Sequence, residues 1–222
     1  MEQGGLPKPV YDLSVPVRDG VDWYGEPDSP PVNLRDVGSL AEAGWVSHTL
    51  SLMVLNGTTY LETAAHIYAD APTLDQVPPE RFITRAFVVH LVPDGQVLPA
   101  PRQPLAGFDK GTDAVLLRCG WEDHVHAEDY YYSSPYFSPE LQRWLLDHEP
   151  AILGGDMLSF DHPDDTSMPF IRAFFRTGGM ILCPLMGLAE LPCEIVSLCT
   201  APTKLTDANA APCRALAWCD EQ

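Results

Sequence analysis

The chain has 222 residues, 45% of them hydrophobic, which suits one compact domain with a sizeable core and argues against disorder. Thirty-one acidic residues against 13 basic ones give a formal net charge of -18. That field repels phosphate backbones and anionic bilayers, so neither nucleic acid nor a membrane is an expected partner.

No run approaches the roughly 20 apolar residues that cross a bilayer. The opening MEQGGLPKPVYDLS lacks the basic-then-apolar order of an export signal. The six cysteines contain no CxxC pair, so all six are expected as reduced thiols in a cytoplasmic protein.

In chain order, VYDLSVPV (10–17) alternates like a strand, and a Pro/Gly/Asp-rich loop with Trp23 and Tyr24 follows. WVSHTLSLMVL (45–55) alternates again and leads into LNGTTYLETAAHIY. RAFVVHLV (85–92) and DAVLLRCGW (113–121) are apolar runs of buried-strand length. SPELQRWLLDHEP (138–150) predicts a helix, with Ser138 at the N-cap, Pro139 in the first turn and Pro150 as the stop. AILGGDMLSFD predicts a strand that ends in a turn at Asp156, and MPFIRAFFRTGG (168–179) a helix closed by glycine. MILCPL, VSLCTAPTKL and RALAWCD predict three further strands. The order points to a mixed sheet with helices packed outside it.

The segment LSLMVLNGTTYLETAAHIYADAPTLDQVPPERFITRAFVVHLV resembles the core of the cyclase family that includes bacterial kynurenine formamidase. That family's signature runs His-x-Gly-Thr-His-x-Asp-x-Pro-x-His. Anchored on Thr59, Glu62 and His66, Asn56 stands at the first His and Thr58 at the Gly. Tyr60 then stands at the second His, Glu62 at the Asp and Ala64 at the Pro. VYDLSVPV, LLRCGW and ILGGDMLSFD resemble further family stretches, so the likeness spans nearly the whole chain. It implies an α/β fold, a mixed β-sheet curled into a barrel-like core with flanking helices. It also implies a homo-oligomer, dimer or tetramer, in which a partner contributes to the site.

The family's metal hydrolases hold a divalent ion with those histidines, the Asp, a late His and a late Glu. The resemblance places the late His near Phe170 or Ile171 and the late Glu at Cys183. Asn, Tyr and an apolar residue are poor substitutes for imidazole, so no metal ligands and no cofactor are expected. Zinc or manganese is the alternative.

What remains is an acid–base set. His66 is the candidate general base, with Glu62 orienting it and raising its basicity. Tyr60 and Asn56 are candidate donors to a developing oxyanion. Trp23, Tyr24, Trp121 and Cys183 are candidate substrate-binding residues, with Trp23 and Tyr24 stacking on a planar ring. WEDHVHAEDYYYSSPYF (121–137) reads as a lid whose tyrosines face the pocket, and its His124 and His126 as a weak metal signal. His48, His90 and His148 read as structural.

The function expected is a metal-independent cyclase or cyclodehydratase acting on an aromatic, polyketide-like small molecule, as the resemblance implies. The alternatives are a metal-dependent amide or lactone hydrolase like kynurenine formamidase, and a non-catalytic binding protein on the same scaffold.

Overall fold

In the computed structural model, residues 9–25 and 28–220 are described, so most of the N-terminal stretch read for an export signal lies outside them. The described residues hold thirteen strands: β1 Tyr11–Asp12, β2 Asn33–Val37, β3 Ser47–Ser51, β4 Tyr60–Glu62, β5 Ile83–His90, β6 Val97–Leu98 and β7 Ala114–Arg118. They continue with β8 Tyr136–Phe137, β9 Ile152–Gly155, β10 Met180–Cys183, β11 Ile195–Cys199, β12 Ala210–Pro212 and β13 Leu216–Trp218. Helices α1 (Pro139–His148) and α2 (Pro169–Phe175) complete the set.

Nine strands form one sheet in the order β1-β13-β11-β5-β7-β9-β10-β4-β12. The central neighbours β5, β7, β9 and β10 run parallel, and the flanking pairs run antiparallel. The sheet curls into a half-barrel with few helices. Period-two alternation builds a core on each face. Leu116, Ile152, Leu182 and Leu61 fill one side. Leu117, Leu153, Ile181 and Cys183 point to the other, where Leu141 and Leu145 of α1 and Phe170 and Phe174 of α2 cover them. Gly154 is required where the strands meet closely: a Cβ there would sit 2.8 Å from Leu116 Cδ2 and 2.9 Å from Leu182 O.

Helix α1 begins where its cap residue predicts, with Ser138 Oγ accepting from Leu141 N at 3.1 Å. Helix α2 draws its cap from upstream instead: Asp161 accepts from the N–H groups of Phe170 (2.8 Å) and Ile171 (3.1 Å). His148 closes α1 against Trp144 O at 2.7 Å.

The strand expected in 45–55 forms as β3, which pairs with β2 in an exposed hairpin outside the nine-stranded sheet, where His48 lies 3.2 Å from Asp36. Two expectations need correction. Of 10–17, only two residues hold strand geometry, since the backbone turns to bond Ala215 and Met186. The cysteines are not all free: Cys193 and Cys219 are joined, bringing the segment before β11 against the end of β13. Cys119, Cys183, Cys199 and Cys213 are free. Among the described residues no helix is long and apolar enough to cross a membrane.

Candidate active site

The site forms where β4 lies between β10 and β12, beside the carboxyl end of β10. Alternation puts Tyr60 and Glu62 on the same face as Cys183, while Leu61 points into the opposite core. Thr59 fixes the strand's entry: its hydroxyl accepts from Val15 N (2.8 Å) and donates to Pro184 O (2.6 Å). After Glu62 the chain makes a single 3-10 turn, Ala64–His66, capped by Thr63, whose Oγ1 accepts from Ala65 N. That turn swings His66 back over Glu62.

Glu62 Oε1 lies 3.1 Å from His66 Nδ1. The two are close without ring N–H hydrogen-bond geometry, and Oε1 is buried with no hydrogen-bond partner among the described residues. The Glu62 side chain is 5% exposed and that of His66 34%, so the carboxyl sits at the bottom and the imidazole at the mouth. Burial pushes Glu62 up from 4.5 to about 8 and lowers His66 below 6.5. Near neutral pH the acid is therefore mostly protonated and the imidazole neutral. This differs from the expectation that Glu62 makes His66 more basic, because a protonated neighbour supplies no charge to do so.

Asn209 is a neighbour that the sequence did not reveal. Its Nδ2 lies 3.1 Å from His66 Nδ1. An amide nitrogen only donates, so with the Asn209 amide in this orientation Nδ1 is the acceptor and the ring proton sits on Nε2. No local signal marks Asn209, which stands 143 residues along the chain.

Tyr60 is 3% exposed, and its phenol oxygen lies 3.1 Å from the Cys183 thiol. Burial, then the mutual repulsion of neighbouring acids, drives Tyr60 and Cys183 well above their ordinary values, so both stay protonated. Tyr24 is half-buried on the same side, near enough to Glu62 to feel its charge, and its ring packs on Tyr131 at 4.5 Å. Tyr131 also lines a cleft of about 330 Å³ with Leu158, Phe160, Met168 and Ile171. Tyr68 Oη donates to Arg172 O at 3.1 Å, which ties the His66 turn to the adjoining stretch of α2. Tyr131 thus lies between Tyr24 and the cleft, and Ile171 lies beside the residue that Tyr68 reaches. The tyrosine run signalled the first; the second is one of the two positions, Phe170 or Ile171, at which the resemblance places the late His.

Other candidates are placed differently. Asn56 is fully buried: its Nδ2 faces Asp22 Oδ1 (3.1 Å), Ser29 Oγ (3.0 Å) and Pro30 O (3.3 Å), and its Oδ1 accepts from Trp23 N (2.8 Å). Its donors anchor the 19–32 loop and are not available to an oxyanion. Trp23 is 3% exposed, donates from Nε1 to Val125 O and packs on Tyr130, so it is a core residue and no stacking platform. Trp121 stacks on His124 at 4.1 Å and donates to Tyr130 O, while His126 meets Arg18. Tyr130 is core, so only part of the 121–137 run can act as a lid. Asp156 is buried and accepts from the N–H groups of Cys119, Gly120 and Trp121, holding the turn after β7.

A divalent metal needs several imidazoles, thiolates or carboxylates converging on one point. Among the described residues no group of three or more His, Cys, Asp and Glu side chains is placed to hold one. Asn56 is committed to its loop, Tyr60 and Cys183 to each other, and Glu62 and His66 alone remain. This donor set does not fit a catalytic divalent ion.

The likenesses to known proteins run the length of this fold. Kynurenine formamidase of Paracidovorax citrulli is 24% identical over 213 residues, covering 95% of this chain and 96% of that protein. The Bacillus cereus kynurenine formamidase is 23% identical over 208 residues, 92% and 95% of the two chains. Isatin hydrolase A from Ralstonia solanacearum superposes with a TM-score of 0.79 at 19% identity, covering 95% and 92%. A structure described as a potential metal-dependent hydrolase with cyclase activity superposes at 0.76 and 19%, covering 96% and 98%. The family described as "Putative cyclase" matches residues 11–162, more than half the chain and all of the Asn56–His66 motif. This chain belongs to that cyclase family.

Proposed function

We propose that the chain is a metal-independent acid–base enzyme that removes water from a small cyclised carbonyl compound, which becomes aromatic as the water leaves, the dehydrating step of a cyclodehydratase. The Glu62–His66 contact carries this reading. In the resting state Glu62 holds a proton beside an unprotonated Nδ1, and the ring proton sits on Nε2. His66 gives its Nε2 proton to a departing hydroxyl, which leaves as water, while Glu62 passes its proton to Nδ1. The freed Nε2 then takes the proton from the adjacent carbon, and Nδ1 returns its proton to Glu62. The substrate loses one water and the pair is restored. Tyr60, kept protonated, donates to the carbonyl oxygen and holds the substrate in place. Tyr24 and Tyr131 supply the aromatic wall.

Hydrolysis of an aryl amide or lactam is the second reading, favoured by the kynurenine formamidases that match across the chain. In hydrolysis His66 Nε2 would give its proton to the departing nitrogen and take one back from the attacking water, so that water's H and OH are added across the C–N bond. The test is turnover by protein stripped of metal, with water uptake or loss followed in ¹⁸O-labelled water. Activity that survives stripping and vanishes in His66→Ala supports the relay. Activity restored only by an added divalent ion refutes it.

A further inference from the structure

Resting on the acid–base reading, we propose that Asn209 is a positioning residue that holds the Nδ1 lone pair of His66 and keeps the Glu62 proton waiting until Nε2 is drawn upon. Among the described residues two polar side chains touch the His66 ring, Glu62 from β4 and Asn209 from the entry to β12. Both reach the same nitrogen, each at 3.1 Å. Neutral Nδ1 has one lone pair, so it accepts from one of them at a time. The Asn209 contact has hydrogen-bond geometry, whereas Glu62 Oε1 is left buried and unpartnered. The amide therefore wins this competition in the resting state.

The backbone shows why the amide stands there. Asn209 O accepts from Thr63 N (2.9 Å) and from Thr63 Oγ1 (3.2 Å), and the preceding Ala208 O accepts from Leu74 N (2.8 Å). The same Thr63 caps the turn that carries His66: its Oγ1 accepts from Ala65 N, and its carbonyl accepts from His66 N at 3.1 Å. The next residue, Ala210, pairs with Glu62 across the β12–β4 ladder. Thr63 thus fixes amide and imidazole relative to each other, and the ladder sets both beside the carboxyl.

With Nδ1 free, the Glu62 proton would pair with it, and the couple could pass to carboxylate and imidazolium, each stabilising the other. The amide N–H blocks that step, and both groups stay neutral, as burial also favours. When a leaving group takes the Nε2 proton, Nδ1 becomes the stronger base. The amide then gives way and the Glu62 proton crosses, leaving a neutral ring protonated at Nδ1 and a Glu62 carboxylate.

The test is ¹⁵N NMR of the histidine-labelled protein, with the His66 ring assigned by its loss in His66→Gln. Wild type near neutral pH should show the ring proton on Nε2 and a bare Nδ1. Asn209→Asp keeps the shape and replaces the donor by an acceptor, so a proton should appear on Nδ1 and the His66 titration should move to higher pH. Asn209→Ala frees Nδ1 for Glu62, and the His66 titration should again move up while that of Glu62 moves down. Should the shorter side chain loosen β12, the nearly isosteric Asn209→Asp still gives the answer. A wild-type proton on Nδ1, or a ring unmoved in either folded variant, overturns the assignment of Asn209. Neither result touches the acid–base reading, which falls instead if His66→Ala keeps full turnover.

Discussion

Glu62 and His66 stand 3.1 Å apart, each held in its uncharged form by burial. An ion pair would raise the imidazole and lower the carboxyl; here both move the other way. The consequence for rate is a working range bounded by two titrations. Activity is expected to rise with pH as His66 loses its proton, at a point below 6.5, and to fall as Glu62 ionises near 8. A pH–rate profile checks this, and Glu62→Gln should lower turnover by roughly 100-fold or more while removing the alkaline limb.

Stability should respond to the same carboxyl. The folded pKa of Glu62, about 8, lies above its ordinary 4.5. Its contribution is therefore fully present below about 4.5 and is lost as pH rises to about 8, because the unfolded chain gives up this proton first. At pH 8.5 Glu62→Gln is expected to be more stable than wild type by on the order of 3 kcal/mol, with little difference at pH 4. Denaturant melts at the two pH values measure the gap, and equal gaps would show that the carboxyl is already ionised in the fold.

Asn56→Ala should unfold more easily by about 2–3 kcal/mol, since it orphans Trp23 N–H and frees the 19–32 loop. A mutant that melted like wild type would mean that the loop is held by other contacts. Gly57→Ala is expected to be costly too: its φ is +79° and the added Cβ would come within 2.3 Å of Val32 Cγ2.

Reducing the Cys193–Cys219 bond should cost about 3 kcal/mol of stability for a separation of 26 residues. Thermal melts with and without dithiothreitol, repeated on Cys193→Ser, read this out. The mutant's melting point should be insensitive to reductant.

Much of the architecture was legible because its signals are local. The apolar runs at 113–118 and 152–155 became parallel central strands, and Ser138-Pro139 opened α1 as caps do. The alternation in 45–51 marked a strand and not its place in an exposed hairpin, because alternation says only that one face differs from the other; whether a second layer covers it is a tertiary fact. The motif located Glu62, Tyr60 and His66 together, since they share one strand and one turn. Asn209 and the Cys193–Cys219 pairing were hidden because their partners meet across the sheet. Asn56 was misjudged for a related reason: residue type shows what a side chain can donate, and only packing shows to whom.

The Asn56 tether also limits what can be built at this position. An imidazole placed there would give up the contacts that seat the 19–32 loop, so a metal ligand could be introduced at residue 56 only together with changes that hold the loop in another way.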